Sequence, residues 1–269
     1  MLEILLLAYA VGQGEAFAVS VDDEPGLESV QVQWRDAPRS LLRLEPSSAG
    51  RWLAWLGVDL DVPAGPVALE FNLQFSDGRS RTVSDTVQIA SRSYRTTRLN
   101  VEPRYVDLNP DDQTRAAAEA AEIAAIYARS TPERLWSGSF AVPLDGANDG
   151  RNFGHRRVFN DQPRAPHSGA DLSGAEGTAV KAANGGRVVL AKPLFFSGNA
   201  VFLDHGLGVY SVYLHLSEFQ VEVGDVVSRG DLIGRVGATG RVTGPHLHWG
   251  FRLHGARVDP FSMLADDAD

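Results

Sequence analysis

The stretch Val67–Phe75 restricts the fold more than any other. Val67, Leu69, Phe71, Leu73 and Phe75 alternate with Ala68, Glu70, Asn72 and Gln74, and Asp77-Gly78 comes directly after. Strict alternation puts every apolar side chain on one face of an extended strand, and a helix would scatter them around its surface. Asp-Gly is a hairpin turn signal, so a second strand is expected to return through Val83, Val87 and Ile89. Val30, Val32 and Trp34 alternate with Gln31 and Gln33 in the same way. Short strands and turns over about ninety positions predict a β-sandwich-like N-terminal domain, residues 12–101. Histidine is absent from it, and no catalytic constellation stands in it. It reads as a spacer or as a module that positions or covers the C-terminal half of the chain.

Ahead of it, residues 1–11 begin with MLEILLLAYA, an apolar run ending in Ala8-Tyr9-Ala10. That is an A-x-A-like cleavage pattern without a basic n-region, and it reads as the remnant of a signal peptide or as a first strand. The run is too short to span a bilayer, so no integral membrane segment is expected. After the sandwich, Asn109-Pro110-Asp111-Asp112 has the chemistry of a helix start: an Asn cap, Pro in the first turn and acids behind it. The helix should run to about Arg129, with a narrow apolar face of Ile123, Ile126 and Tyr127, and Thr131-Pro132 should stop it. Residues 102–134 are expected to form an ordered helical connector. Residues 135–269 are dense in glycine and again β-rich, with strands expected at Val188–Leu190, Ala200–Leu203 and Val209–Leu214.

A net charge of −9 opposes both nucleic-acid binding, which needs a basic patch, and docking on an anionic membrane. The lack of cysteine removes disulfides, thiolate metal sites and cysteine nucleophiles, and leaves the compartment open.

All seven histidines lie beyond residue 150. Three clusters stand out: His167-Ser-Gly-Ala-Asp171, His215, and the pair His246 and His248 in GRVTGPHLHW. On a strand, His246 and His248 share a face, and His215 would share one with Tyr213 and Ser211. Pro166 and Gly169 argue against a helix around His167, so a loop entering a strand must join it to Asp171. A catalytic zinc keeps three His, Asp or Glu ligands and an open position. Two of these imidazoles with Asp171 would leave a zinc site at about +1, a residual charge that acidifies bound water, and two imidazoles free for proton transfer. Nitrogen and oxygen donors without thiolate favour zinc among the candidate metals. His155, His205 and His254 read as surface or turn residues, with His205 in a D-H-G loop.

These segments together resemble the lysostaphin/LytM-type zinc metallopeptidases, the murein endopeptidase family. The similarity runs through RRVFNDQPRAPHSGADLSGAEGTAVKAANGGRVVLA, then GNAVFLDHGLGVYSVYLHLSEFQVEVGDVVSRGDLIGRVGATGRVTGPHLHWGF, then RVDP, about residues 136–262. H-x-x-x-D, a distal His and H-x-H in this order form a specific signal, although each alone is weak. The resemblance implies one zinc ion per chain, held by His167, Asp171 and His248. It implies His215 and His246 as the catalytic pair, their individual roles open, and Asn160 as a substrate contact. It also implies a compact, mainly antiparallel β metallopeptidase domain with a groove. The substrate implied is a peptide cross-link or stem peptide of bacterial peptidoglycan, with D-alanyl–diaminopimelate cross-links favoured and a polyglycine bridge as another option. A periplasmic or secreted monomer is expected. All five metal and catalytic positions are present, which favours an active enzyme over a non-catalytic murein-binding regulator. VEVGDVVSRGDLIGRVG also resembles biotinyl and lipoyl carriers, but Lys181 and Lys192 sit in no hairpin-tip pattern that modification would need.

Overall fold

The computed structural model describes residues 4–6, 10–34, 41–46, 50–147 and 149–264, with the backbone alone at 4–6 and 41–46. The chain is mainly β and forms two compact units that divide between Arg92 and Ser93. No described helix is long and apolar enough to cross a membrane.

Among the described residues the first unit is a set of eight hydrogen-bonded strands. Gly65–Phe75 and Ser80–Ala90 form the expected hairpin, with Phe71 opposite Val83 and Gly78 at φ +82° in the turn. Leu69, Phe71, Leu73 and Phe75 are buried while Glu70 and Gln74 are exposed, so the alternation selects the inward face. Leu41–Pro46 pairs with Leu27–Trp34 on one side and with Arg51–Gly57 on the other. Val19, Val21, Val30, Val32, Leu56 and Val87 complete one apolar core. Each such side chain contributes about 1.5–3 kcal/mol on burial. Within the leader reading, Ile4–Leu6 pairs with Val19–Val21 and Ala10–Gly12 pairs with Gln88–Ala90. Residues 1–3 and 7–9, with most of the Ala8-Tyr9-Ala10 pattern, lie outside the described residues.

The second unit begins with Thr96–Leu99, which pairs in parallel with Arg156–Phe159. That strand in turn forms a hairpin with Gln162–Arg164. Helix α1, Pro110–Tyr127, starts where expected: the Asn109 side chain accepts from the Asp112 backbone N–H at 2.8 Å. Its narrow stripe packs on the sheet of this unit, with Ile126, Ile123 and Tyr127 against Leu190, Phe202 and Tyr210. The stretch expected as a connector is therefore a covering layer of the second unit.

Five strands of an antiparallel sheet position the site: β1 (Ala170–Ser173), β2 (Gly186–Leu194), β3 (Gly198–Gly206), β4 (Val209–Phe219) and β5 (His246–Leu253). Their order is β1-β5-β4-β3-β2, so β5 lies between β1 and β4. The strands expected at 188–190, 200–203 and 209–214 lie inside β2, β3 and β4. Leu172, Leu247, Trp249 and Phe251 are all buried, and they line the core along β1 and β5.

Candidate metal centre

Strand β5 places His246 and His248 on one face, with Leu247 buried on the other. Its register against β1 sets Asp171 opposite His248 and Ser173 opposite His246. Directly paired residues share a face, so the Asp171 carboxylate is delivered to the imidazoles by sheet pairing alone. His167 enters from the loop before β1. Its backbone N–H bonds the His155 carbonyl, and its Nδ1 lies 3.0 Å from the Asn152 carbonyl. A carbonyl only accepts, so Nδ1 carries the proton and the Nε2 lone pair points inward.

His167 Nε2, Asp171 Oδ1 and His248 Nδ1 converge. The three separations are 2.9 Å between the two nitrogens, 2.9 Å from His167 to Asp171 and 2.8 Å from His248 to Asp171. They are the one group of potential metal-ligating residues of this kind among the described residues. Three lone pairs directed at one point repel unless a cation or proton lies there. The edge of a tetrahedral zinc site with bonds of about 2.0–2.1 Å is roughly 3.3 Å, so the triangle needs to open by only a few tenths of an ångström. The donor set fits zinc. Burial raises the Asp171 carboxyl, but the His167 and His248 imidazoles against it outweigh burial and hold the group below the usual carboxylate range. Burial pushes His248 down to about 4, so its ring is neutral at neutral pH.

Asp171 is held on its other side as well. Its Oδ2 accepts from Arg157 at 3.0 Å and from Asn152 Nδ2 at 3.1 Å, and its backbone N–H donates to Asn152 Oδ1 at 3.0 Å. Asn152 thus grips two of the three converging residues. Nothing in the spacing around Asn152 or Arg157 marks this, because Asn152 stands in a turn and Arg157 on a strand of a separate sheet from β1. His155, expected in a surface turn, is half-buried beside Thr97 Oγ1 at 2.9 Å and lines a cavity of about 340 Å³ with Asn152, Arg157, His167, Asp171 and His246.

His215 departs from simple alternation. Asn199 pairs with Leu216 and Val201 with Tyr213, so Leu214 and His215 stand together opposite Ala200, a bulge. His215 adopts φ +67°, uncommon outside glycine. Tyr213 and Ser211 face the core, joined by a hydroxyl–hydroxyl bond of 3.0 Å, while the His215 ring lies 5.0 Å from His246 and 6.2 Å from His248. The expectation that His215 shares a face with Tyr213 and Ser211 is corrected by this bulge, which turns the ring toward the cluster. Its Nδ1 is 2.8 Å from the Thr239 carbonyl, and His246 Nδ1 is 2.9 Å from the Gly244 carbonyl. In the neutral form of each ring the Nε2 therefore carries the lone pair. Burial, then the charges of His248 and His246, pushes His215 down to about 3, so it stands neutral and able to accept a proton.

The five residues His167, Asp171, His215, His246 and His248 thus come together. Asn160 has other partners. It sits at the hairpin turn after Arg156–Phe159 with φ +46°, and its carboxamide both accepts from the Val101 N–H and donates to the Val101 carbonyl, each at 3.0 Å. His205 is wholly buried between the Gly185 carbonyl and the Ser211 hydroxyl, and His254 lies in the turn after β5.

Residues 165–260 match peptidase family M23. Over 109 residues the chain is 43% identical to the peptidoglycan DD-endopeptidase ShyA of Vibrio cholerae, covering 40% of this chain and 25% of that protein. Over 97 residues it is 42% identical to the DD-carboxypeptidase/endopeptidase Mpg of Neisseria meningitidis, covering 36% and 22%. The chain thus spans about a quarter of the length of these curated relatives. A solved structure from Pseudomonas aeruginosa assigned to peptidase M23 superposes with a TM-score of 0.71 at 29% identity, covering 94% of each chain. Residues 165–260 are therefore a peptidase family M23 domain of the LytM/lysostaphin type, carried within a mainly β chain.

Proposed function

We propose that this chain is a zinc-dependent endopeptidase that hydrolyses peptide cross-links of bacterial peptidoglycan, at D-alanyl–diaminopimelate bonds. One observation carries the reading: His167 Nε2, Asp171 Oδ1 and His248 Nδ1 converge on one point with the rings of His215 and His246 alongside. The DD-endopeptidase relatives support the substrate class. A peptidoglycan substrate assigns the enzyme to the periplasm or the exterior.

In this reading His167, Asp171 and His248 hold the metal. Bound there, zinc supplies Lewis acidity and a lowered pKa for water. The chain's own residues do the rest. Asn152 and Arg157 fix the Asp171 carboxylate, so one oxygen faces the metal point and the other is engaged. His215 and His246, each locked by a carbonyl at Nδ1, offer Nε2 to take a proton from water and return it to the leaving amine. Until it passes that proton on, the ring that took it carries an Nε2–H that can steady charge on the carbonyl oxygen. His246 lines the open cavity, within reach of a bound peptide. Asn160 as a substrate contact rests on the family resemblance.

The test is the mass of the products when the full chain acts on a purified cross-linked muropeptide dimer. With zinc, the dimer should gain one water and split into two peptides. The product should be absent after stringent chelation and return on adding zinc. His248→Ala and Asp171→Ala should abolish it while the fold, read by circular dichroism, persists. Undiminished cleavage after chelation would sink the metal role. Binding without turnover would make the chain a non-catalytic murein-binding regulator.

A further inference from the structure

A second cavity adjoins the metal cluster, of about 450 Å³, lined by Tyr105, Arg157, Arg164, Pro166, Phe196 and Arg241. The two cavities share Arg157, whose guanidinium bonds Asp171 Oδ2. Pro166 and Ser168 line the second cavity, and His167 between them lines the first. The second cavity thus opens one residue away from a converging imidazole.

Three cations around one cavity need an explanation. Arg157 has the Asp171 carboxylate. Arg164 donates to the Val106 and Pro163 carbonyls and to Gln162 Oε1, all neutral acceptors. Arg241 lies over Phe159 at 4.8 Å and Phe196 at 4.6 Å. Among the described residues neither Arg164 nor Arg241 meets a carboxylate at ion-pair distance. Burial, then the charges of Arg157 and Arg164, pushes Arg241 down to about 10. Half-buried cations that crowd each other are costly unless an anion joins them. Planar guanidiniums in a partly dry pocket suit a carboxylate, which they bind through paired hydrogen bonds. Tyr105, Pro166 and Phe196 supply apolar walls for the aliphatic stem of such a group.

We propose that Arg157, Arg164 and Arg241 form a subsite for a free carboxylate of the substrate, on the carbon that bears the leaving nitrogen. The assignment deepens the endopeptidase reading and rests on it. A D-alanyl–diaminopimelate cross-link carries such a carboxylate beside the scissile amide, whereas a glycine bridge interior does not. The pocket would therefore select the first substrate class over the second.

The experiment compares two synthetic cross-linked peptides, one with this carboxylate free and one with it as a carboxamide. Cleavage is measured as kcat/KM on the zinc-loaded full chain. Binding is measured calorimetrically on the zinc-loaded His246→Ala chain, which holds the peptides without turnover. The free acid should win by about 10- to 100-fold in both, the range of a charge-assisted hydrogen bond. Arg241→Gln should bring the ratio near one, and Arg241→Lys should keep part of it. If Arg241→Gln fails to fold, Arg164→Gln is read by the same criterion. A binding preference below about fivefold in the parent chain, or one that survives the substitution, overturns the subsite. If neither peptide is cleaved, the endopeptidase reading fails, and the binding ratio alone decides the subsite.

Discussion

Asn152→Ala is the sharpest probe of how the centre is held. The side chain makes two bonds to Asp171: Nδ2 to Oδ2 at 3.1 Å, and Oδ1 from the backbone N–H at 3.0 Å. Its carbonyl, which orients His167 at 3.0 Å, survives the substitution. His167 should therefore keep its tautomer while Asp171 loosens. Removing such an orienting partner costs about 10- to 100-fold in metal affinity. Arg157 still grips Oδ2, so the loss should fall at the lower end, about 10- to 30-fold or roughly 1.4–2 kcal/mol. The fold should lose about 1 kcal/mol through the unpaired N–H. Competition between the chain and a chromophoric chelator for zinc measures the affinity, at a temperature where both chains are folded. An affinity within twofold of the parent would refute the claim that Asn152 positions Asp171. A loss as large as that of Asp171→Ala would show that it does more than position.

Three further outcomes are expected. His205 is wholly buried, and burial pushes it down to about 4, against about 6.5 in an unfolded chain. The unfolded state takes up a proton first, so this contribution is full above about pH 6.5 and is lost as pH falls toward 4, up to about 3 kcal/mol. Denaturant unfolding of the parent and His205→Gln should give stability curves that converge on acidification, and parallel curves would contradict the burial argument. Gly169→Ala should cost both metal and activity, because a Cβ there would stand 2.4 Å from the Trp249 carbonyl and 2.6 Å from His248 Nε2; normal zinc affinity in that variant would be the contrary result. His215→Ala should bind zinc normally yet lose about 10²- to 10⁴-fold in kcat, the usual scale for a general acid or base, and loss of zinc would instead make His215 a ligand.

The sequence reading succeeds where one local rule decides. Alternation at Val67–Phe75 and at His246-Leu247-His248 gives the correct inward faces, since period two is a property of the extended chain itself. It fails at His215, because a bulge with φ +67° inverts the face and leaves no mark in residue spacing. Asn152 and Arg157 were hidden for a different reason. Asn152 stands in a turn and Arg157 on a strand paired with Thr96–Leu99 in a separate sheet, so no local pattern links either to Asp171. Asn160 has a local reason of its own. Asn tolerates the left-handed turn at the end of Arg156–Phe159, and its carboxamide is bonded to Val101. The stripe of Ile123, Ile126 and Tyr127 was legible as an apolar face, but its partner Phe202 lies far along the chain.

The central claim is that three particular atoms hold a metal. Anomalous scattering at the zinc edge, from a crystal of the zinc-loaded full chain, tests it most directly. A single peak should lie about 2.0–2.2 Å from His167 Nε2, Asp171 Oδ1 and His248 Nδ1, with His215 and His246 beyond bonding distance. A peak ligated by His215 or His246, or one away from Asp171, would contradict the account.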